Sequence, residues 1–193
     1  MRQTLYLTRH GETDWNREGR WQGHTNISLN QTGRDQAQAL ARRLSGLGIA
    51  HIAASDLARA RETAEIVAQH LGIRRVHIDQ RLRERSFGVF EGLTREEVAT
   101  RFPNEWADYS EDRKVTPPGA EPHELVIARV KDAVLSVTEA LENAGPGLVV
   151  THGGALRVLI TAVTGQELPP VPNAAVYRVD VEHGVFGLAQ LLD

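Results

Sequence analysis

Residues 5–16 read LYLTRHGETDWN, and residues 148–154 read LVVTHGG. Each is a short apolar run of strand length that stops on a histidine followed by glycine. Ending a buried strand on Arg9 and His10 is costly unless something anionic receives them, because an unpaired charge loses its hydration there. The pairing of an apolar strand with an abrupt polar end recurs far along the chain, which points to two strands ending side by side.

Working outward, helical and strand patterns alternate. After NQTG, residues 30–33, Ala37, Leu40, Ala41, Leu44 and Leu47 recur at helical spacing, with Gly46 and Gly48 as stops. HIAAS is a second strand, and Ser55 or Asp56 is positioned to cap a helix carrying Ala60, Ala64, Val67 and Leu71 on its inner face, stopped at Gly72. RVHI is a third strand. Two short helices are expected around TREEVATRF and NEWADYSED, then a break at TPPG and a long helix from about Pro122 to Ala144. A helix follows THGG at once, and AVYRVDV turns at EHG into VFGLAQLL as a hairpin. Strands alternating with helices predict a three-layer α/β/α fold with a mostly parallel central sheet and an antiparallel edge. Residues 1–193 read as a single domain, with segment 86–121 as a lid insertion.

Composition narrows the chemistry. The 193 residues carry a net charge of −3 and no cysteine. A thiolate nucleophile, a disulfide framework and cysteine-bound metal are therefore excluded, and no general attraction to nucleic acid or an anionic membrane is expected. Neither a signal pattern nor a membrane-spanning apolar run is read, so a cytoplasmic protein is expected.

In open α/β sheets, ligands bind beyond the carboxyl ends of the strands, so His10 and His152 are expected to face one pocket. Arg9 and Arg59, in SDLARARETA, offer planar forks suited to phosphate oxygens, and the helix after Gly153 and Gly154 points its N-terminal amides at the same region. A phosphoryl group fits this set with no metal or other cofactor. A neutral imidazole at His10 is a competent nucleophile, favoured by surrounding positive charge and oriented by a carbonyl such as that of Gly11. Glu84, in LRERSFGVFEG, is the candidate general acid for the leaving oxygen. Its neighbours Arg83 and Arg85 should point to the opposite face of an extended segment.

LTRHGETDWN, SDLARARETA, LRERSFGVFEG and VVTHGG resemble, in order, the four signatures of the histidine phosphatase superfamily, also called phosphoglycerate mutase-like, and the likeness covers nearly the whole chain. The resemblance implies His10 as phosphoryl acceptor, Arg9, Arg59 and His152 as phosphate ligands, and Glu84 as proton donor. It also implies contacts to phosphate from Asn16, Gln22 and Gly23. TPPGAEPHELVIARV is similar to the PPGGES segment of the small, broad-specificity phosphatases, with Ala120 and Pro122 replacing a glycine and the serine, and it leaves no room for the insertion of cofactor-dependent mutases.

The leading expectation is a metal-independent phosphomonoesterase acting on small phosphorylated metabolites through a phosphohistidine. The alternatives are a cofactor-dependent phosphoglycerate mutase, hinted at by the basic pair Arg113 and Lys114, and a non-catalytic phosphate-binding module. The expected partner is a small phosphate ester rather than nucleic acid or a membrane, and a homodimer is left open. Trp15 and Trp21 are assigned to packing, Trp106 and Tyr109 to packing or the lid, and His24, His51, His70, His77, His123 and His183 to structural or surface roles.

Overall fold

The computed structural model describes residues 2–141 and 144–192. Among them seven strands form one sheet: β1 (Arg2–Arg9), β2 (His51–Ala54), β3 (Val76–Ile78), β4 (Gly147–Thr151), β5 (Val176–Glu182), β6 (Val185–Phe186) and β7 (Gln190–Leu191). Their order is β3-β2-β4-β1-β5-β6, with β7 also on β5. The first four run parallel, and β5, β6 and β7 add the antiparallel edge. Helices α1 (Asp14–Arg17), α2 (Gln31–Leu44), α3 (Ala58–Leu71), α4 (Arg95–Arg101), α5 (Pro103–Glu111), α6 (His123–Ala140) and α7 (Gly153–Thr164) connect them.

Alternation along the strands sorts the core into two layers. Leu5 and Leu7 of β1, Val149 of β4 and Val179 of β5 face α6 and α7, meeting Val130, Val134, Leu156 and Leu159. Tyr6, Leu148 and Val150 face α2 and α3, meeting Leu40, Ala41, Ala64 and Val67. Each fully buried leucine or valine contributes roughly 1.5–3 kcal/mol relative to exposure, so the two faces together outweigh any single site residue in fixing the fold.

One register carries the site. Leu5 to Arg9 lie opposite Gly147 to Thr151 residue by residue, and the His10 N–H continues the ladder onto the Thr151 carbonyl at 3.0 Å. His10 and His152 therefore leave neighbouring strand ends together. The exit from β1 also runs hard against the first turn of α2. A Cβ on Gly11 would lie 2.3 Å from the Gly33 carbonyl oxygen, so only glycine permits this passage.

Several boundaries differ from the sequence reading. NQTG is not a turn before α2 but its first turn, because the Asn30 side chain accepts the Gly33 N–H at 2.8 Å and caps it. The N-cap of α3 is Leu57, without a side-chain cap; the Ala58 N–H is instead received by the Asn26 side chain at 2.7 Å. The long helix begins at His123 and ends at Ala140, short of the expected Ala144; residues 142 and 143 lie outside the described residues. The terminal hairpin turns through His183 and Gly184, at φ 49° and 77°, the left-handed pair that matches strand twist. It then breaks at Gly187–Ala189, where the Gln166 amide binds both the N–H and the carbonyl of Ala189, before β7 rejoins the sheet.

Segment 86–121 builds a small aromatic core of its own from Phe90, Val98 and Tyr109, with Phe87, Phe102 and Trp106 packed on it. Trp21 belongs to this cluster rather than to the main core, with its ring 4.7 Å from Phe87 and 5.6 Å from Tyr109. Trp15 is half-buried beside Gly92. No helix among the described residues is long and apolar enough to cross a membrane.

Candidate active site

Beyond the ends of β1 and β4, the His10 and His152 rings lie 5.1 Å apart at 64° to one another. The His10 Nδ1 lies 2.6 Å from the Gly11 carbonyl oxygen. A carbonyl can only accept, so Nδ1 carries the proton and Nε2 keeps its lone pair. The Nε–H of Arg59 points at that lone pair from 3.2 Å. Burial first, and then the guanidinium groups of Arg59 and Arg9, hold the His10 pKa well below 6.5. The neutral form expected from nearby charge is thus favoured even more by burial.

Arg59 is fully buried. Its Nη1 and Nη2 donate to the carbonyls of Thr25 at 2.9 Å and Gly23 at 2.8 Å; among the described residues no carboxylate forms an ion pair with it, although Glu84 and Glu91 act on it through space. The carboxylates on its own helix are taken elsewhere: Glu62 binds Arg34, and Glu65 binds Arg61. Burial lowers its pKa to about 10. Arg9 donates to the Val171 carbonyl at 2.7 Å, while its buried Nε has no partner. Gly153 lets that side chain through, since a Cβ there would sit 3.1 Å from the Arg9 Cδ.

His152 is buried, with Nε2 at 2.9 Å from the Ser55 hydroxyl and Nδ1 without a partner. Burial, followed by Arg59, His10 and Arg9, lowers its pKa well below 6.5. Ser55, considered a helix cap from sequence, is thus the orienting group of His152; Asp56 forms an ion pair with Arg83 instead.

Glu84 corrects the expectation for the α7 amides. Its Oε2 accepts the Gly154 N–H at 2.9 Å, and its Oε1 accepts those of Ala155 at 2.8 Å and Arg85 at 2.9 Å. The N–H groups at this helix N-terminus are therefore already received by the protein's own Glu84 side chain. The flanking arginines do turn away: Arg83 to Asp56, and Arg85 to the carbonyls of Glu121, Arg113 and Val115.

The Asn16 side-chain oxygen is spent on the Thr13 N–H and hydroxyl in a capping box and on the Asn173 amide, leaving its own amide as the part available to an anion. Gln22 is buried with its Oε1 unpartnered. Gly23, at φ 50°, serves Arg59 through its carbonyl, and a Cβ on it would collide with the Glu91 carboxylate. Arg113 is exposed over the Tyr109 and Trp106 rings, at 4.9 and 5.5 Å.

Sequence reasoning missed several organisers. Glu91 receives the N–H groups of His24, Thr25 and Phe87 and the hydroxyls of Thr25 and Ser86, stapling the turn that holds Arg59 to the start of segment 86–121. Burial pushes its pKa up, but the hydrogen bonds led by Thr25 outweigh this and bring it below 4.5. Asn173 donates to the His10 carbonyl at 3.1 Å. Glu91 stands in a quoted motif and was within reach; Asn173, in a loop, gave no local signal.

Three comparisons fit this geometry. The family model described as histidine phosphatase superfamily (branch 1) matches residues 5–193. A protein of Salmonella paratyphi B named "Probable phosphoglycerate mutase GpmB" is 37% identical over 190 residues, covering 92% of this chain and 85% of the relative. Among solved structures, YhfR of Bacillus stearothermophilus superimposes with a TM-score of 0.84 at 36% identity, covering 96% of this chain and 95% of that one. A mycobacterial glucosyl-3-phosphoglycerate phosphatase solved with VO3 gives a TM-score of 0.85 at 29% identity, covering 98% of this chain and 97% of that one.

Proposed function

The chain belongs to the histidine phosphatase superfamily, and on that premise we propose that it hydrolyses small phosphate monoesters through a phosphohistidine on His10. The observation that carries this reading is the fixed tautomer of His10: Nδ1–H held by the Gly11 carbonyl, and a lone pair on Nε2 facing Arg59. In the first half-reaction, Nε2 attacks phosphorus, the bond from phosphorus to the ester oxygen breaks, and Glu84 gives its proton to the departing oxygen. In the second, water attacks the phosphohistidine, Glu84 takes the water proton, and the phosphorus–nitrogen bond breaks to release phosphate and restore neutral His10.

Arg9 and Arg59 supply the cationic donors for the phosphoryl oxygens, and His152 adds its unpartnered Nδ1. Oε1 of Glu84 already accepts two N–H groups and Oε2 one, so Oε2 is the oxygen assigned to carry the transferred proton. Residues 1–193 act as one cytoplasmic domain on a small phosphate ester, with segment 86–121 as the lid that sets specificity.

The experiment is a panel of phosphate esters with rapid acid and base quenching. Wild type should accumulate an acid-labile, base-stable phosphoenzyme, and His10→Ala should abolish both it and turnover. Near wild-type turnover by His10→Ala would remove the mechanism. A second reading, phosphoglycerate mutase, is favoured by the name of the Salmonella relative. The absence of a mutase-type insertion speaks against it, since α6 begins four residues after Gly119. A phosphoglycerate mutase assay beside the ester panel separates the two.

A further inference from the structure

Segment 81–84, which ends in Glu84, leaves its carbonyls outside any sheet ladder, so each needs another donor. Side chains supply all of them. The Leu82 carbonyl accepts the Thr151 hydroxyl at 2.7 Å. Arg129, on α6, takes the other three: Nη1 donates to the carbonyls of Arg81 at 2.8 Å and Arg83 at 2.6 Å, and Nη2 to that of Glu84 at 2.8 Å. The second lone pair of the Glu84 carbonyl receives His24 Nε2, also at 2.8 Å.

Arg129 is itself oriented. Its Nε and Nη2 lie 2.7 Å from the two oxygens of Glu121, a paired fork that fixes the plane of the guanidinium. Glu121 is tied back to the same region, because its N–H binds the Ser86 carbonyl and its carbonyl receives Arg85. The Glu84 peptide is thus clamped from behind while its carboxylate is held in front by Arg85, Gly154 and Ala155.

We propose that Arg129 is a positioning residue for proton delivery: it does not touch the substrate but sets the Glu84 carboxyl where the leaving oxygen departs. This rests on the reading of Glu84 as general acid. The chemistry needs such a clamp, since a proton donor must stand within hydrogen-bond reach of its acceptor, and displacement by about 1 Å can cost on the order of 100-fold in rate. Lysine cannot replace arginine here: one ammonium cannot occupy both Nη positions, although it keeps the charge.

The test compares kcat/KM for p-nitrophenyl phosphate, whose leaving group departs without protonation, with that for glycerol phosphate, whose alkoxide needs a proton. The ratio of the two is independent of how much of a sample is folded. Glu84→Gln should lower the glycerol phosphate value by about 100-fold or more relative to the aryl ester. Arg129→Lys should shift the ratio in the same direction by about 10-fold, and Glu121→Gln by less. A changed ratio in Glu84→Gln with an unchanged ratio in both Arg129→Lys and Glu121→Gln would make Arg129 merely structural and overturn the proposal. An unchanged ratio in Glu84→Gln would remove the acid reading itself, and the proposal with it.

Discussion

Replacing Arg59 by methionine should cost activity far more than stability. The folded protein keeps this guanidinium fully buried without an ion-paired carboxylate among the described residues, and burial lowers its pKa to about 10. At 1.36 kcal/mol for each pKa unit, the site disfavours the charged form by roughly 3 kcal/mol, a penalty that methionine would remove. Against that stand the acceptors left behind. The carbonyls of Gly23 and Thr25 and the Nε2 of His10 lose their donors, at about 1 kcal/mol each, and the Thr25 carbonyl is near enough to the surface for water to replace part of the loss. The terms nearly cancel, so the expected change in unfolding free energy lies within about 2 kcal/mol of zero. Breaking a buried ion pair would instead cost about 3–5 kcal/mol.

Catalysis has no such compensation. A cationic donor facing the transferring phosphoryl group is worth on the order of 100- to 1,000-fold in rate. Urea unfolding and p-nitrophenyl phosphate turnover, measured on the same Arg59→Met preparation, check both halves. A destabilisation above about 4 kcal/mol would refute the cancellation, and turnover within tenfold of wild type would refute the assignment to phosphate.

Stability should also depend on pH through the two imidazoles. Burial and the arginines hold the folded pKa values of His10 and His152 well below 6.5, so below pH 6.5 the unfolded chain binds protons that the folded chain refuses, and stability falls as pH falls. Between pH 6 and 5 the slope of unfolding free energy against pH should be about 1 kcal/mol per unit steeper for wild type than for His10→Gln; equal slopes would count against a neutral, buried His10. Glu91→Gln sets an amide NH2 against N–H and O–H donors, so it should lose about 2–4 kcal/mol in urea and raise KM by loosening the turn that holds Arg59. An unchanged unfolding midpoint would show that the staple contributes little.

The sheet, its antiparallel edge and the meeting of His10 with His152 were legible because each follows from local pattern plus one topological rule: parallel strands expose their carboxyl ends together. The orientation of Arg83 and Arg85 was legible for the same reason, from alternation in an extended segment. What escaped the sequence depends on contacts between distant residues. Ser55 reads as a cap for the helix beside it, yet its hydroxyl is used by His152, which lies 97 residues away. The α7 amides read as a site for the substrate's phosphate, but no local signal says that Glu84, 70 residues earlier, already receives them. Arg129 is an ordinary polar position on an amphipathic helix until the carbonyls it meets are known.

On the proposed reading, the partners of the arginines explain how a chain of net charge −3 would receive a phosphate dianion. Toward the surface, arginines meet carboxylates: Arg2 with Asp180, Arg20 with Glu97, Arg34 with Glu62, Arg83 with Asp56. Among the described residues, Arg9 and Arg59 form no such ion pair. Arg9 donates to the Val171 carbonyl, and Arg59 to two carbonyls and the His10 ring. Neutral acceptors satisfy the geometry of a guanidinium without cancelling its charge, so both cations stand beside two imidazoles that burial keeps neutral, with Glu84 acting on both arginines through space. On the proposed reading, the carbonyls of Gly23, Thr25 and Val171 are what keep that pair of arginines available to the phosphoryl oxygens.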